Sequence, residues 1–198
     1  MQSDLTYDEP CVWDGRFFRI DDHIIRLESS CKTLRLKLPL PREEVKTTLV
    51  EMVAKGGIRD ASVEIIVTRW LKGVRGSRPD ELLNNSLYMF FQPYVWVMEP
   101  EMQPVAGKAT VARAVCRIPP GSIDPPVMNL QWGDIVRGLF DGIMPTTELD
   151  GNLVKDGKLG PITKDIWDGY CAIYYDPKFI FEIDFKNGTA VNGVCQNG

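Results

Sequence analysis

The sequence predicts an α+β fold, on three observations. Two helical patterns follow one another over 21–36 and 42–55. A hairpin pattern precedes them at 11–20, and strand patterns follow at 61–69 and 87–97. Grouping of strands and helices, with apolar residues on one face of each helix, is the arrangement of a sheet with helices packed upon it.

Leu5-Thr6-Tyr7-Asp8 opens the chain and is not read as a strand. Cys11 to Ile20 reads as a hairpin, because Asp14-Gly15 suits a two-residue turn. Asp21-Asp22 is expected to cap a helix reaching about Leu36, with Ile24, Leu27, Cys31, Leu34 and Leu38 along one face. Pro41 starts a second helix from Arg42 to about Lys55, where Glu43 and Glu44 complement the dipole. Its apolar side is Val45, Leu49, Met52 and Val53, and Gly56-Gly57 ends it.

Ala61 to Arg69 is rich in β-branched residues and reads as a strand. Lys72 to Pro79 is a basic loop with two glycines. Leu87 to Val97, apolar and aromatic, reads as a buried strand broken at Pro93, and Thr110 to Cys116 as a further strand. Pro119, Pro120, Pro125 and Pro126 exclude regular structure, and Asn129 to Phe140 returns to helical spacing. Gly160 opens a helix to about Tyr175 with Ile162, Ile166, Trp167, Tyr170 and Ile173 inward. Phe179 to Phe185 alternates as a short strand, and the glycine- and asparagine-rich tail from about 187 is expected to be disordered.

Composition narrows the function. Hydrophobic residues make up 44% of the 198, within the usual range for a folded core, and the net charge is −4. No basic excess suggests nucleic acid, and no run approaches the roughly 18 apolar residues of a membrane helix. With no leader pattern at the start, the expected location is the cytoplasm. The five cysteines are odd in number and lack CxxC spacing, so they read as reduced packing residues. With one histidine in the chain, no metal site is expected.

The stretch Arg117-Ile-Pro-Pro-Gly121, followed by Met128-Asn-Leu-Gln-Trp-Gly-Asp134, carries a family resemblance. It resembles the class IV pyridoxal-phosphate aminotransferases, which include branched-chain and D-amino acid aminotransferases. It looks most like the fungal-type (R)-selective amine transaminases. In these, a lysine stands before Asn-Leu-Gln-Trp-Gly-Asp and forms the Schiff base with the cofactor. Met128 occupies that catalytic position here.

The resemblance runs from about residue 3 to 140 and resumes from Gly142 to about Asp184. It implies an additional N-terminal segment, and a long stretch between Asp141 and Gly142 that this chain lacks. It also implies a small domain over 1–118, then a linker and shortened large-domain remnant over 119–198. Arg26, in His23-Ile-Ile-Arg26-Leu27, matches the cofactor-binding arginine that meets the phosphate, which suits a guanidinium fork. From spacing alone it is a surface arginine. His23 is expected to be exposed and structural.

Tyr7, Glu64, Arg75 and Trp132 match substrate-lining positions. Read without the resemblance, Glu64 is an outward acid, Arg75 one charge in a solvated loop and Trp132 a helix aromatic. Ser62 and Trp70 depart from the family's aromatic and glycine. The implied ancestral reaction moves an amino group from an amine or amino acid to a keto acid, in a homodimer or beside a full-length relative. A thioether at 128 neither attaches a cofactor nor moves a proton, so no transaminase activity is expected. The alternative is a non-enzymatic metabolite-binding or dimer-partner protein.

Overall fold

The structure is a computed structural model and describes residues 4–69, 85–96, 99–101, 103, 107–109, 115–141, 146–149, 152–153, 156–158 and 160–190. It divides into two units. The first comprises Met1–Val95, Pro125–Leu130 and Tyr174–Gly198, and the second Trp96–Asp124 and Gln131–Ile173. This is not a single cut near residue 118, because the chain returns to the first unit twice.

The first unit is built on β4 (Ala61–Arg69). One edge of β4 pairs antiparallel with β1 (Leu5–Asp8) and then with β2 (Cys11–Trp13). Its other edge pairs with β5 (Asn85–Pro93) over the full nine residues. β3 (Arg16–Phe18) joins β2, and β9 (Ile180–Asp184) joins β3. The Asp14-Gly15 turn behaves as expected, with φ of 47° and 75°. The first four strand residues were unassigned from sequence; β4 is the partner that draws them into the sheet.

Two helices cover one face. α1 (Ile20–Thr33) places Ile20, Ile24, Leu27 and Cys31 inward, and α2 (Arg42–Gly56) adds Val45, Leu49, Val50 and Val53. They pack on Val12, Phe17, Ala61, Val63, Ile65 and Val67. Asp21 and Asp22 do not cap α1: Arg19 stands there at φ 49° without a side-chain cap bond, and the acids occupy the first turn. The helix ends at Thr33, short of Leu36, because Arg35 turns left-handed at φ 54° and Leu36 N–H returns to Cys31 O at 2.8 Å.

The glycine pair closing α2 has divided roles. Gly57 takes φ 71°, the conformation a helix terminus requires. Gly56 allows close approach, since a Cβ there would lie 2.1 Å from the Phe91 ring.

β5 is not a buried strand. Leu87, Met89 and Phe91 pack toward the helices, while Tyr88 and Phe90 on the other face are 50% and 44% exposed. Among the described residues of the first unit, only one of its faces meets a helix, so the apolar run is half covered there. Pro93 marks the end of its ladder with β4. Asn187 and Gly188 form a turn, with Gly188 at φ 67°, that brings β10 (Thr189–Ala190) back onto β9. The expected disorder therefore does not begin at 187, and residues 191–198 lie outside the described residues.

In the second unit, β6 (Gly107–Ala109), β7 (Thr146–Leu149) and β8 (Asn152–Leu153) make a small sheet. The expected strand at 110–116 falls largely outside the described residues. α3 (Gly133–Asp141) starts later than the pattern from Asn129 suggests. α4 (Pro161–Ile173) has the expected period but no buried residue. Ile162 and Ile166 are 75% and 68% exposed, so its apolar stripe is not an inner side in this chain. Among the described residues, no helix is long and apolar enough to cross a membrane.

Cys31 is a packing residue, and burial pushes its thiol up to about 12. Cys116, by contrast, is exposed. Among the described residues, no three His, Cys, Asp or Glu side chains gather as metal ligands.

Candidate functional site

Alternation along β1 sends its side chains to opposite faces of the sheet, and each face acquires its own chemistry. Leu5 and Tyr7 lie on the face away from the helices, with Ile66, because directly paired residues share a face and Tyr7 pairs with Ile66. Tyr88 pairs with Ile66 from the other side. Tyr7, Ile66 and Tyr88 therefore form one row across three strands.

The segment Pro125–Leu130 returns to the first unit beside β1. The Met128 carbonyl accepts from Tyr7 N–H at 3.3 Å and from Thr6 Oγ1 at 2.6 Å. These bonds satisfy donors on the edge of β1 that β4 does not reach. The Met128 side chain packs against the cluster of Leu5, Tyr7 and Ile66. Residue 128 is thus anchored through its backbone, whatever its side chain.

On the helix side, Asp8 is fully buried and meets α1. Its Oδ2 accepts from Arg26 Nε at 2.7 Å, and Oδ1 accepts from Arg26 Nη2 at 2.8 Å. Oδ1 also accepts from the Glu9 amide at 2.8 Å and lies 2.6 Å from His23 Nδ1. A carboxylate only accepts, so Nδ1 carries the hydrogen in this contact. The 3.4 Å approach of Arg26 Nη2 to His23 Nδ1 then brings two donors together and adds no bond.

Burial pushes the Asp8 carboxyl up, but the hydrogen bonds from His23 and Arg26 outweigh it and hold the group below the usual carboxylate range. The same pairing raises Arg26. Half of the Arg26 side chain remains exposed.

Glu64 shares a face with Ile66 and pairs with Phe90. It is partly buried in the middle of β4, not outward into bulk water. Burial raises its carboxyl above the usual range, and the Glu9 charge adds to the shift.

Of the residues singled out from sequence, Tyr7, Glu64 and Met128 lie on the face of the first unit's sheet opposite α1 and α2. Arg26 belongs to α1 on the opposite side, joined to β1 through Asp8. Trp132 stands in the second unit at the start of α3, where its carbonyl accepts from Val136 N–H at 2.8 Å. Arg75 and Trp70 lie outside the described residues. His23 is not exposed as expected: only 19% of its side chain is accessible, because it turns toward Asp8.

Sequence reasoning missed Asp8. The signal was available, since Thr6 and Asp8 alternate against Leu5 and Tyr7, and His23 and Arg26 share a helix face three residues apart. Neither pattern could be joined until Leu5–Asp8 was known to be a strand.

A seven-stranded sheet with two helices packed on one face defines an α+β domain. The profile of the family described as amino-transferase class IV matches residues 7–137, and the chain belongs to that family. A D-alanine aminotransferase of Listeria monocytogenes is 32% identical over 79 residues, spanning 39% of this chain and 27% of its own length. A Methanocaldococcus jannaschii protein named as a branched-chain-amino-acid aminotransferase is 28% identical over 124 residues, covering 61% of this chain. The match takes in 40% of that relative's length, so the chain spans well under two thirds of the curated relatives it matches.

The fold agrees. The T.th. branched-chain amino acid aminotransferase with pyridoxamine 5′-phosphate superposes with a TM-score of 0.69 at 12% identity. The match covers 92% of this chain and 90% of that one. The Escherichia coli branched-chain amino acid aminotransferase gives a TM-score of 0.65 at 12% identity, covering 86% of each chain. At these identities the likeness is one of fold.

Proposed function

We infer that this chain carries the class IV aminotransferase scaffold without the amine that transamination requires, and has no transaminase activity of its own. The observation that carries the reading is Met128. Its carbonyl is fixed by Thr6 and Tyr7, so the position is held in place while its side chain offers only a thioether. The family's cofactor is pyridoxal phosphate. The residues present fit its phosphate, through the exposed part of Arg26, and do not fit covalent attachment at position 128.

When bound in a transaminase, that cofactor supplies an electron sink for the carbon losing its proton. Here Arg26 would bind the phosphate, Asp8 would hold Arg26, and Tyr7 and Glu64 would line the substrate side. No described side chain at 128 accepts or returns a proton. The matching substrates, an amine or amino acid and a keto acid, enter as the ancestral pair.

The test is visible absorbance of the purified protein with pyridoxal phosphate, before and after borohydride, followed by peptide mapping. The expected result is a spectrum without a shifted band and no lysine modified in stoichiometric amount. A band trapped on a single lysine overturns the reading.

A second reading has its own observation. Tyr88, Phe90, Ile162 and Ile166 leave large apolar surface exposed, which favours a chain that works beside a full-length relative. Co-expression with such a relative, followed by size-exclusion and activity measurement, separates the two.

A further inference from the structure

A guanidinium has five N–H donors in a rigid planar fork. In Arg26 the side edge is already used: Nε and one hydrogen of Nη2 point to the two oxygens of Asp8. The end edge remains, formed by Nη1 and the second hydrogen of Nη2. That edge alone can meet two phosphate oxygens in parallel.

We propose that Asp8 is a positioning residue, which locks the plane of the Arg26 guanidinium so that its end edge is presented to a phosphate monoester. The inference rests on the reading of Arg26 as the phosphate contact. It adds a residue to which neither the family resemblance nor the spacing assigned a role.

The geometry of Asp8 fits this task. It is fully buried on a strand, so its position is set by the sheet. Both oxygens are occupied, and the Glu9 amide and His23 Nδ1 add contacts to Oδ1 that fix the carboxylate. Arg26 is half in water and, among the described residues, has Asp8 as its ion-pair partner. Without Asp8, its long side chain would be free to rotate.

Asp8 acts on an anion in two opposed ways. Its charge repels the ligand, and its grip orients the donor that binds it. Solvent and salt screen the first where Arg26 emerges into water, and the second is a matter of geometry that salt leaves intact. In 150 mM salt (about the physiological level), orientation therefore prevails.

The experiment measures binding of inorganic phosphate, pyridoxal phosphate and pyridoxal to the full chain, as wild type, Asp8→Asn, Arg26→Lys and the double variant. The expected result is a loss of about tenfold in phosphate and pyridoxal phosphate affinity for Asp8→Asn, the usual scale for removing a supporting partner. Pyridoxal, which lacks the phosphate, should not respond. In the Arg26→Lys background, where there is no fork to orient, Asp8→Asn should cost nothing further; a general structural effect would persist there.

Unchanged or tighter phosphate binding by Asp8→Asn overturns the proposal, and so does wild-type protein that binds no phosphate compound. Because Asp8→Asn removes a buried charge and can fail to fold, NMR of the wild type gives an independent reading. The Arg26 Nε–H should exchange with water more slowly than exposed arginines, and equal exchange also overturns the proposal. Asp8-dependent binding of inorganic phosphate without binding of pyridoxal phosphate retains the proposal and removes the cofactor reading. Tight pyridoxal phosphate binding without Asp8 dependence does the reverse.

Discussion

Thr6 donates its hydroxyl to the Met128 carbonyl at 2.6 Å, joining positions 122 residues apart. The bond ties the returning segment to the first strand of the sheet. Thr6→Val keeps the side-chain shape and removes the donor. The Tyr7 amide still serves the carbonyl, so the expected loss is about 1 kcal/mol. Urea unfolding of the two proteins measures it.

Residue 128 is held through its backbone, so replacing its side chain should restore chemistry without refolding the segment. Met128→Lys is expected to give a borohydride-trapped pyridoxal phosphate adduct on residue 128, identified by peptide mass. The unaltered chain gives none. Trapping on a different lysine in the variant would show that position 128 does not face the cofactor.

Asp8 sets an acid limit on the fold. Its native carboxyl titrates below its ordinary value of 3.8, so the unfolded chain binds the proton more readily. The stabilisation is complete well above 3.8 and is lost as pH falls from there through the lower native value. Asp8→Asn should reduce stability near neutrality and flatten its decline in acid. Unfolding midpoints collected from neutral pH downward test both parts.

Glu64 has the opposite sign. Burial and Glu9 raise its carboxyl, so the native state binds the proton more readily than the unfolded chain. The charged form costs stability above the raised native value, and the cost disappears as pH falls below the ordinary 4.5. Glu64→Gln should therefore raise the melting temperature at neutral pH and leave it unchanged in acid. An equal gain at both would trace the effect to packing.

At Gly56 the constraint is space. A methyl group there would sit 2.1 Å from the Phe91 ring, so the ring or the elements that carry it must shift. Gly56→Ala should cost about 1–3 kcal/mol despite alanine's better helix propensity. Pairing it with Phe91→Leu should recover part of the loss, as read by thermal unfolding.

Regular local patterns were legible in the sequence where the partner lies nearby. The hairpin at Asp14-Gly15, the bounds of α2 and the whole of β4 followed from turn chemistry, dipole-matched charges and β-branched residues. Long-range partners were not legible. Leu5–Asp8 is a strand because β4 pairs with it, and Asp8 gained its role through that pairing. β5 looked buried because apolar residues occupy both faces, but among the described residues of the first unit only one face meets a helix. α4 showed the same limit: periodicity identified the apolar stripe and could not say what would cover it. For the candidate site, the resemblance pointed to Arg26 and position 128, while Asp8 and the inward turn of His23 required the fold.

The pairing of β3 with β9 has a consequence for synthesis. Arg16 and Glu182 are 166 positions apart, yet they adjoin in the same sheet. A chain emerging from the ribosome can assemble β1 to β5 with α1 and α2 first, but β3 keeps an open edge until residues 180–184 have been made. During that interval its backbone donors and acceptors are available to any passing strand. Closure of the sheet is a late, high-contact-order event, and chaperone demand should fall sharply once residues 180–184 are released.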